Sequence, residues 1–538
     1  MKMSEKQKKI AYWTCFLLLL AVLVFLCFFK LTAKYVDPWD EARHGVNALE
    51  MLRGGSVIQN TYLRQADYYN LKPPLSMWCI MVGLKLFPDP VLALRFYSAL
   101  CYVLLALITS LAVRKISDTA SLFTLAALSI NMTPFLAHMV RAGDADSLYC
   151  LLFTAAMLAM MRIRQNHRFL YLCGFLFSLA FLTKSFHALT IAAIGGLFLI
   201  LTRQLTEISL KEWLCFILCT ALPVLIWVCL RYRIDGTTFF VKMWETDVLG
   251  RTGGELHSNP TPFWYYLEYY FTPVIMGKMQ VYTWALAVTA AAGILRCAER
   301  VRGGHSAVRE QAAEEKKDGI IRLHSDQIIA LTLWILVPFL AFSAVSNKLL
   351  WYVYPAVTGL MVLAGISCGI LLSRLANLPE KKIRRAAAGL FLAATVCCYC
   401  WYAAGIWHIT NAQGYNEFQI LIRALAGEDK AISVMEEMAS GDDRVTVPKT
   451  GYQNCRIYVD HENGNAIWAQ QDVFVAEAFG NYDCRDGGIM EILASPSHEE
   501  QKGLILVQRQ TYEVLALLYD DCTLVAQSPE YLALEVEY

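Results

Sequence analysis

Charge is what this sequence has least of. Only 17% of its 538 residues are Asp, Glu, Lys or Arg, against 57% apolar side chains and a mean hydropathy of +0.41. That balance excludes a soluble enzyme of this length and indicates a polytopic membrane protein. A continuous basic stripe with interleaved aromatics is also lacking. The cations fall in separate clusters between apolar runs and the net charge is +1, so nucleic acid is excluded as a partner. Among 17 cysteines no CxxC pair suggests zinc; most lie inside apolar runs, as in Cys397-Cys398-Tyr399-Cys400, and act as small apolar residues. A small-residue cleavage site before Lys30 is missing, so the apolar run from about Ala11 to Phe29 reads as an uncleaved first helix. No internal repeat is evident.

What is present is a series of apolar runs of membrane-crossing length. About eleven helical spans are expected, near residues 11–29, 91–113, 119–139, 147–161, 169–183, 186–202, 213–230, 271–295, 326–345, 349–373 and 386–406. With a cytoplasmic N-terminus, every strongly basic loop falls inside, including Arg162 to Arg168, Arg203 to Lys211 and Arg374 to Arg385. Residues 30–90, 140–146, Lys184, 231–270, 346–348 and everything after about 407 then lie outside. Within the first outer loop, Asp40 to Leu52 has helical spacing ended by Gly54-Gly55, and Lys72-Pro73-Pro74 opens a short apolar helix to Phe87 that reads as interfacial. The fold class expected is an all-α polytopic membrane module over residues 1–406, followed by a soluble α/β domain over 407–538. In that domain Arg456 to Asp460, Val473 to Glu477, Leu504 to Val507 and Leu532 to Val536 read as strands, and Glu428 to Met438 and Tyr512 to Tyr519 as helical. Cys455, Cys484 and Cys522 could include one disulfide there. The segment Arg300 to Arg322 reads as a solvated inner linker.

The acids and cations gather at the outer ends of these runs. Asp40 and Glu41 begin a helix, where capping is the plain alternative, but a carboxylate at a membrane mouth can also serve as a general base. Lys72, preset by two prolines, can hold a phosphate as a fixed point charge; an interfacial lysine otherwise snorkels. Asp144 and Asp146 would face the same way on extended backbone, with Arg141 close enough to pair with either. They can ligate a divalent cation, orient a hydroxyl, or merely cap the next helix. Lys184 and Lys348 each sit in a tight outer turn between apolar runs, against the charge bias of that face. Arg231 and Arg233 follow a span and face outward. Gly250-Arg251-Thr252-Gly253-Gly254-Glu255 is a weak phosphate-cradle candidate. The aromatic series from Phe263 to Phe271 reads as an interfacial belt. His138, His187 and His257 are too scattered to be assigned a metal.

The ordered series Asp40-Glu41-Ala42-Arg43, Lys72-Pro73-Pro74-Leu75, Leu94-Arg95-Phe96, Arg141 with Asp146, Leu182-Thr183-Lys184, and Ser346-Asn347-Lys348-Leu349 with Tyr354-Pro355 resembles the ArnT and protein O-mannosyltransferase superfamily of glycosyltransferases. The resemblance implies a GT-C fold and a sugar donor carried on polyprenyl monophosphate. It implies catalytic roles for Asp40 and Asp146, donor-phosphate contacts for Lys72, Lys348 and Lys184, and supporting roles for Glu41, Arg43, Arg141 and Asp144. Two positions depart from the family pattern. Ser185 replaces the glycine that usually follows the lysine, and Leu71 replaces the acid often found before Lys-Pro-Pro.

The expected activity is therefore an inverting sugar transfer from an undecaprenyl phosphate donor to an extracytoplasmic acceptor, a lipid such as lipid A, at a bacterial inner membrane. Asp40 would orient or deprotonate the acceptor. No cofactor is expected to be required and no metal site is assigned, although the acids could hold a divalent ion. A protein or envelope-polymer acceptor is the nearest alternative. A transporter or lipid flippase is the rival from another class, disfavoured because the charges gather on one face instead of the midplane. A membrane sensor with an outer ligand-binding domain is a third.

Overall fold

A computed structural model describes residues 4–250, 261–272, 281–295, 297, 323–412, 414, 416–449, 451–460, 468–486 and 503–536. Eight helices among them are long and apolar enough to cross a membrane, and three shorter apolar helices accompany them, so the chain is a multi-pass membrane protein. Helix α1 (Glu5–Phe28) starts from a capping box made by Ser4 and Gln7. The first outer loop carries α2 (Asp40–Gly54), the two-residue strands β1 (Thr61–Tyr62) and β2 (Gln65–Ala66), and α3 (Leu75–Leu86), which Pro74 precedes. Next come α4 (Pro90–Arg114), started by Asp89 with proline in its first turn, then α5 (Asp118–Ser129), α6 (Met132–Leu136), α7 (Asp146–Met160) and α8 (Arg168–Lys184). Helix α9 (Leu189–Leu201) is separated from α8 by a tight turn at Lys184-Ser185. Then follow α10 (Leu210–Asp235), the seven-residue helices α11 (Thr238–Trp244) and α12 (Tyr265–Phe271), and α13 (Val281–Leu295), α14 (Ser325–Ser343), α15 (Tyr354–Ala376) and α16 (Lys381–Asn411).

Small residues set a close helix contact. Gly365 and Gly369 of α15 lie one turn apart against Thr124 and Ala120 of α5, where an added β-carbon would come within 2.5 Å and 2.8 Å of a neighbouring atom. Without a hydrophobic driving force between helices in lipid, such close backbone approach supplies the packing.

After α16 come α17 (Glu417–Leu425), α18 (Asp429–Gly441), β3 (Arg456–Asp460), α19 (Gln470–Gly480), β4 (Asp483–Arg485), β5 (Gly503–Gln508), α20 (Arg509–Val514), β6 (Thr523–Gln527) and β7 (Tyr531–Val536). They build a mixed sheet of order β4-β3-β5-β7-β6, parallel around β3 and antiparallel around β7. The expected strand at Val473 to Glu477 is instead the middle of α19. Its residues are buried on both sides of the apolar run, Val473 to Ala476 being wholly enclosed, and such a run does not distinguish strand from helix by periodicity. Strands β4 and β6 were not foreseen; β4 has only three residues and β6 a mostly exposed face. Cys455, Cys484 and Cys522 are free thiols, so the suggested disulfide is absent. The expected linker over 300–322, the glycine-containing loop beyond Gly250 and His257 lie outside the described residues.

Candidate active site

The site begins at Trp39, whose φ of 67° turns the chain sharply into α2 and places Asp40 and Glu41 in its first turn. Glu41 is an organising residue. It receives Arg95 of α4 through two hydrogen bonds of 2.7 and 2.8 Å, and also the backbone N–H groups of Asp37 and Gly143, each at 2.8 Å. One buried carboxylate thus fastens the loop before α2, the membrane helix α4 and the loop before α7. Arg95 gives its remaining donors to the carbonyls of Leu31, Lys34 and Tyr35, so the buried charge is fully satisfied. Gly143 is pressed against Leu94, where a β-carbon would come within 2.4 Å of its side chain.

Arg141 corrects an expectation. It pairs with neither Asp144 nor Asp146 but donates to the carbonyls of Leu26 and Cys27, in the last turn of α1, and of Lys30 just beyond it. The two aspartates also part company, because residues 141–145 form turns and bends instead of extended backbone. Asp146, first residue of α7, pairs with Lys184 at the end of α8, both buried. Asp144 faces the other way, toward His138 at 2.7 Å and toward His44, whose Nδ1 is 3.8 Å away.

Arg43 is locked in place by two hydrogen bonds to Asp67, of 2.9 and 2.7 Å, with its guanidinium over the Tyr62 ring. Lys72 lies 3.3 Å from Asp40, whose side chain keeps 37% of its exposure. Asp40, Arg43, Lys72, His138 and Lys184 all line one cavity of about 430 Å³, closed on its other side by Asn347, Leu349, Trp351 and Tyr352. Lys348 turns away from that lining and donates to the carbonyl of Thr261 at 2.8 Å. Arg231 lies beside the first outer loop, on the side expected for it, but is not solvated. It is wholly buried, bonded to Asp235 and to the Ile58 carbonyl, and so ties α10 to the first outer loop.

Electrostatics in this cluster follow from burial set against close partners. Burial raises the Asp40 carboxyl, but Lys72, helped by His44 and His138 and opposed by Asp144, holds it below its ordinary value. Burial likewise works against ionisation of Asp144, and the His138 hydrogen bond and Lys72 more than reverse it. His44, fully buried with neither ring nitrogen hydrogen-bonded, is pushed down to about 4 by burial and by Lys72, against the pull of Asp144 and Asp40. Among the described residues, Asp40, His138 and Asp144 offer ligand atoms all within 4.8 Å of one another, a group that could hold a divalent cation.

Sequence reasoning passed over His44 and Asp67 and left His138 without a role. His44 was within reach, since it lies four residues after Asp40 on a helix and shares its face. His138 had no such signal; its place depends on the turn that folds residues 137–145 back on themselves.

Residues 71–227 match the family model for dolichyl-phosphate-mannose-protein mannosyltransferase. Curated relatives include an undecaprenyl phosphate-alpha-4-amino-4-deoxy-L-arabinose arabinosyl transferase of Shewanella sediminis, 25% identical over 358 residues, which cover 64% of this chain and 59% of the relative. One from Pseudomonas fluorescens is 24% identical over 355 residues, covering 64% of this chain and 56% of the relative. The matched region thus spans less than two thirds of these relatives. Crystal structures of ArnT from Cupriavidus metallidurans share the fold: the apo state has a TM-score of 0.60 at 16% identity over 98% of each chain. The state bound to undecaprenyl phosphate has a TM-score of 0.59 at 16% identity, over 96% of this chain and 97% of that one. In sequence and in fold, this chain is similar to ArnT-like glycosyltransferases of the GT-C class.

Proposed function

We propose that this protein transfers a sugar from undecaprenyl phosphate to an extracytoplasmic acceptor, a lipid such as lipid A. The observation that carries this reading is the convergence of Asp40, Lys72 and Lys184, from three separate segments, on one cavity at the ends of membrane helices. Lys72 and Lys184 bring positive charge to the place where a departing phosphate gains negative charge, and fixed cations stabilise that charge without solvent reorganisation. Lys348 joins them only if its ammonium leaves the Thr261 carbonyl for the donor. Asp40, its charge fixed by Lys72, orients the acceptor for displacement with inversion at the sugar carbon. Asp146 holds Lys184 in position, while Glu41 with Arg95, Arg43 with Asp67, and Arg141 on the end of α1 keep the loops in register. The relatives' names supply the donor and support aminoarabinose as the sugar.

The basic loops support a cytoplasmic N-terminus, with the cavity and the α/β domain after residue 407 on the periplasmic side of a bacterial inner membrane. Mass spectrometry of lipid A and of undecaprenyl-linked sugars from cells with and without the gene tests the reaction. The transferase reading expects a sugar-modified lipid to vanish and its donor to accumulate. Asp40→Asn and Lys72→Ala should each abolish the modification at normal expression. Lipid profiles identical in all strains would overturn the reading.

A further inference from the structure

A second cavity, of about 620 Å³, lies halfway along the membrane helices, between α5, α13, α15 and α16. It shares no lining residue with the cavity around Asp40 and Lys72. Small residues open it: Ala126 and Ala127 of α5, Ala285 of α13, Ala364 of α15 and Ala394 of α16 all line the space. Helix α16 stands off the bundle there. Of its 31 residues only Tyr402, Ile406 and Thr410 are buried, all toward its outer end, and Ala394 is exposed.

The chemistry of the wall selects what fills this space. The lining carries no charged side chain among the described residues. The Thr395 hydroxyl is spent on the Phe391 carbonyl of its own helix at 2.8 Å, and that of Tyr399 is enclosed in the wall. Water enters such a space only where several polar groups receive it, and this wall does not offer them. Left empty, a void of this size forfeits dispersion contacts for every side chain around it. Hydrocarbon meets both conditions and has a way in. Trp284 and Trp401 line the cavity and are mostly exposed on the lipid-facing surface of α13 and α16, so the space is continuous with the bilayer.

We propose that one acyl chain of a bilayer phospholipid inserts between α13 and α16 and stays bound there, against Ala364 and Ala127, as a lipid held by the protein and not part of the exchanging annulus. Two other apolar occupants fit less well. A helix of a second copy, about 10–12 Å across with its side chains, would fill this volume within roughly one turn, whereas an acyl chain is slender enough to run its length. The prenyl chain of a sugar donor follows a phosphate that the transferase reading seats at Lys72 and Lys184, in the other cavity. The bound chain braces α16, the helix that leads into the C-terminal region, and its binding does not depend on the transferase reading.

The test uses the full-length protein purified in detergent, loaded with phosphatidylethanolamine, washed, and analysed by native mass spectrometry. Wild type should retain about one phospholipid per chain through the wash. Ala394→Phe and Ala127→Phe, which fill the cavity from opposite walls at positions that are not buried, should each lose most of it while melting as the wild type does. Full retention by both folded variants, or no phospholipid left on the wild type, would overturn the site. Preferential retention of undecaprenyl phosphate when both lipids are offered would also overturn it, making the cavity a seat for the donor's chain. If both variants melt early, phosphatidylethanolamine brominated along its acyl chains decides the matter on the native sequence. Quenching of fluorescence that survives the wash and is lost in Trp401→Phe supports the site, and no such quenching overturns it.

Discussion

The ring of Phe474 occupies the space that a side chain at Gly45 would need: a β-carbon there would lie 2.6 Å from the ring. Gly45 follows His44 in α2, one turn beyond Asp40, while Phe474 is wholly buried in α19 of the C-terminal region. The helix that presents Asp40 to the cavity is therefore seated on the C-terminal sheet region. Gly45→Ala should force the two apart at a cost of roughly 1–3 kcal/mol, and lower transfer activity along with the melting temperature. Combining it with Phe474→Leu should recover part of both. A Gly45→Ala protein as stable and active as the parent would show that α2 is positioned by the membrane module alone.

Glu41 and Arg95 form the most deeply buried ion pair at the site, 2% and 1% exposed, so removing one partner strands the other's charge. Arg95→Met should destabilise the folded protein by roughly 3–5 kcal/mol. Glu41→Leu added to Arg95→Met should return part of that stability by removing the stranded charge, yet not activity, because the Asp37 and Gly143 amides lose their acceptor. Melting curves of the single and double variants in detergent measure the coupling. Equal melting temperatures for wild type and Arg95→Met would refute the account.

Ser185 stands at φ 45° and ψ −127°, directly after Lys184. Glycine adopts such a conformation without the clash an L side chain suffers, and the serine recovers only a 3.3 Å hydrogen bond to Asp247. Ser185→Gly should stabilise the protein by about 1 kcal/mol without loss of transfer, read as a rise in melting temperature. A fall would mean that the bond to Asp247 outweighs the backbone strain.

Much of this is legible in the amino-acid sequence. The long apolar runs are set by the thickness of lipid, and the helix from Asp40 and its stop at Gly54-Gly55 follow from local spacing and backbone chemistry. So do the breaks at Lys72-Pro73-Pro74 and Lys184-Ser185. What escaped was long-range. Arg141 has a carboxylate three residues away, and only the three-dimensional path reveals that it serves the carbonyls of α1, more than a hundred residues earlier. Val473 to Ala476 reads as a buried strand because a run enclosed on all sides has no polar face to report its period. His138 and Asp144 meet through a turn whose left-handed residue is not a glycine, so no punctuation in the sequence announces it.

Glu477 ties the same two parts of the molecule together through a proton. It is buried in α19 and hydrogen-bonded to Glu50 of α2, whose oxygens already accept the Arg64 N–H at 3.0 and 3.1 Å. Burial, and then the Glu50 charge and hydrogen bond, push the Glu477 carboxyl from 4.5 up to about 9, so the folded protein keeps it protonated where the unfolded chain would not. A carboxyl raised on folding contributes stability that is complete below its unfolded value and is lost as pH climbs to its folded one. Thermal stability should therefore decline between pH 4.5 and about 9. Glu477→Gln keeps a donor for Glu50 without a titrating proton, and should flatten that decline while stabilising the protein at the alkaline end by at least about 1 kcal/mol. Melting temperatures of the two proteins across this range decide the matter: parallel curves would mean that the proton between α2 and α19 is not what holds them.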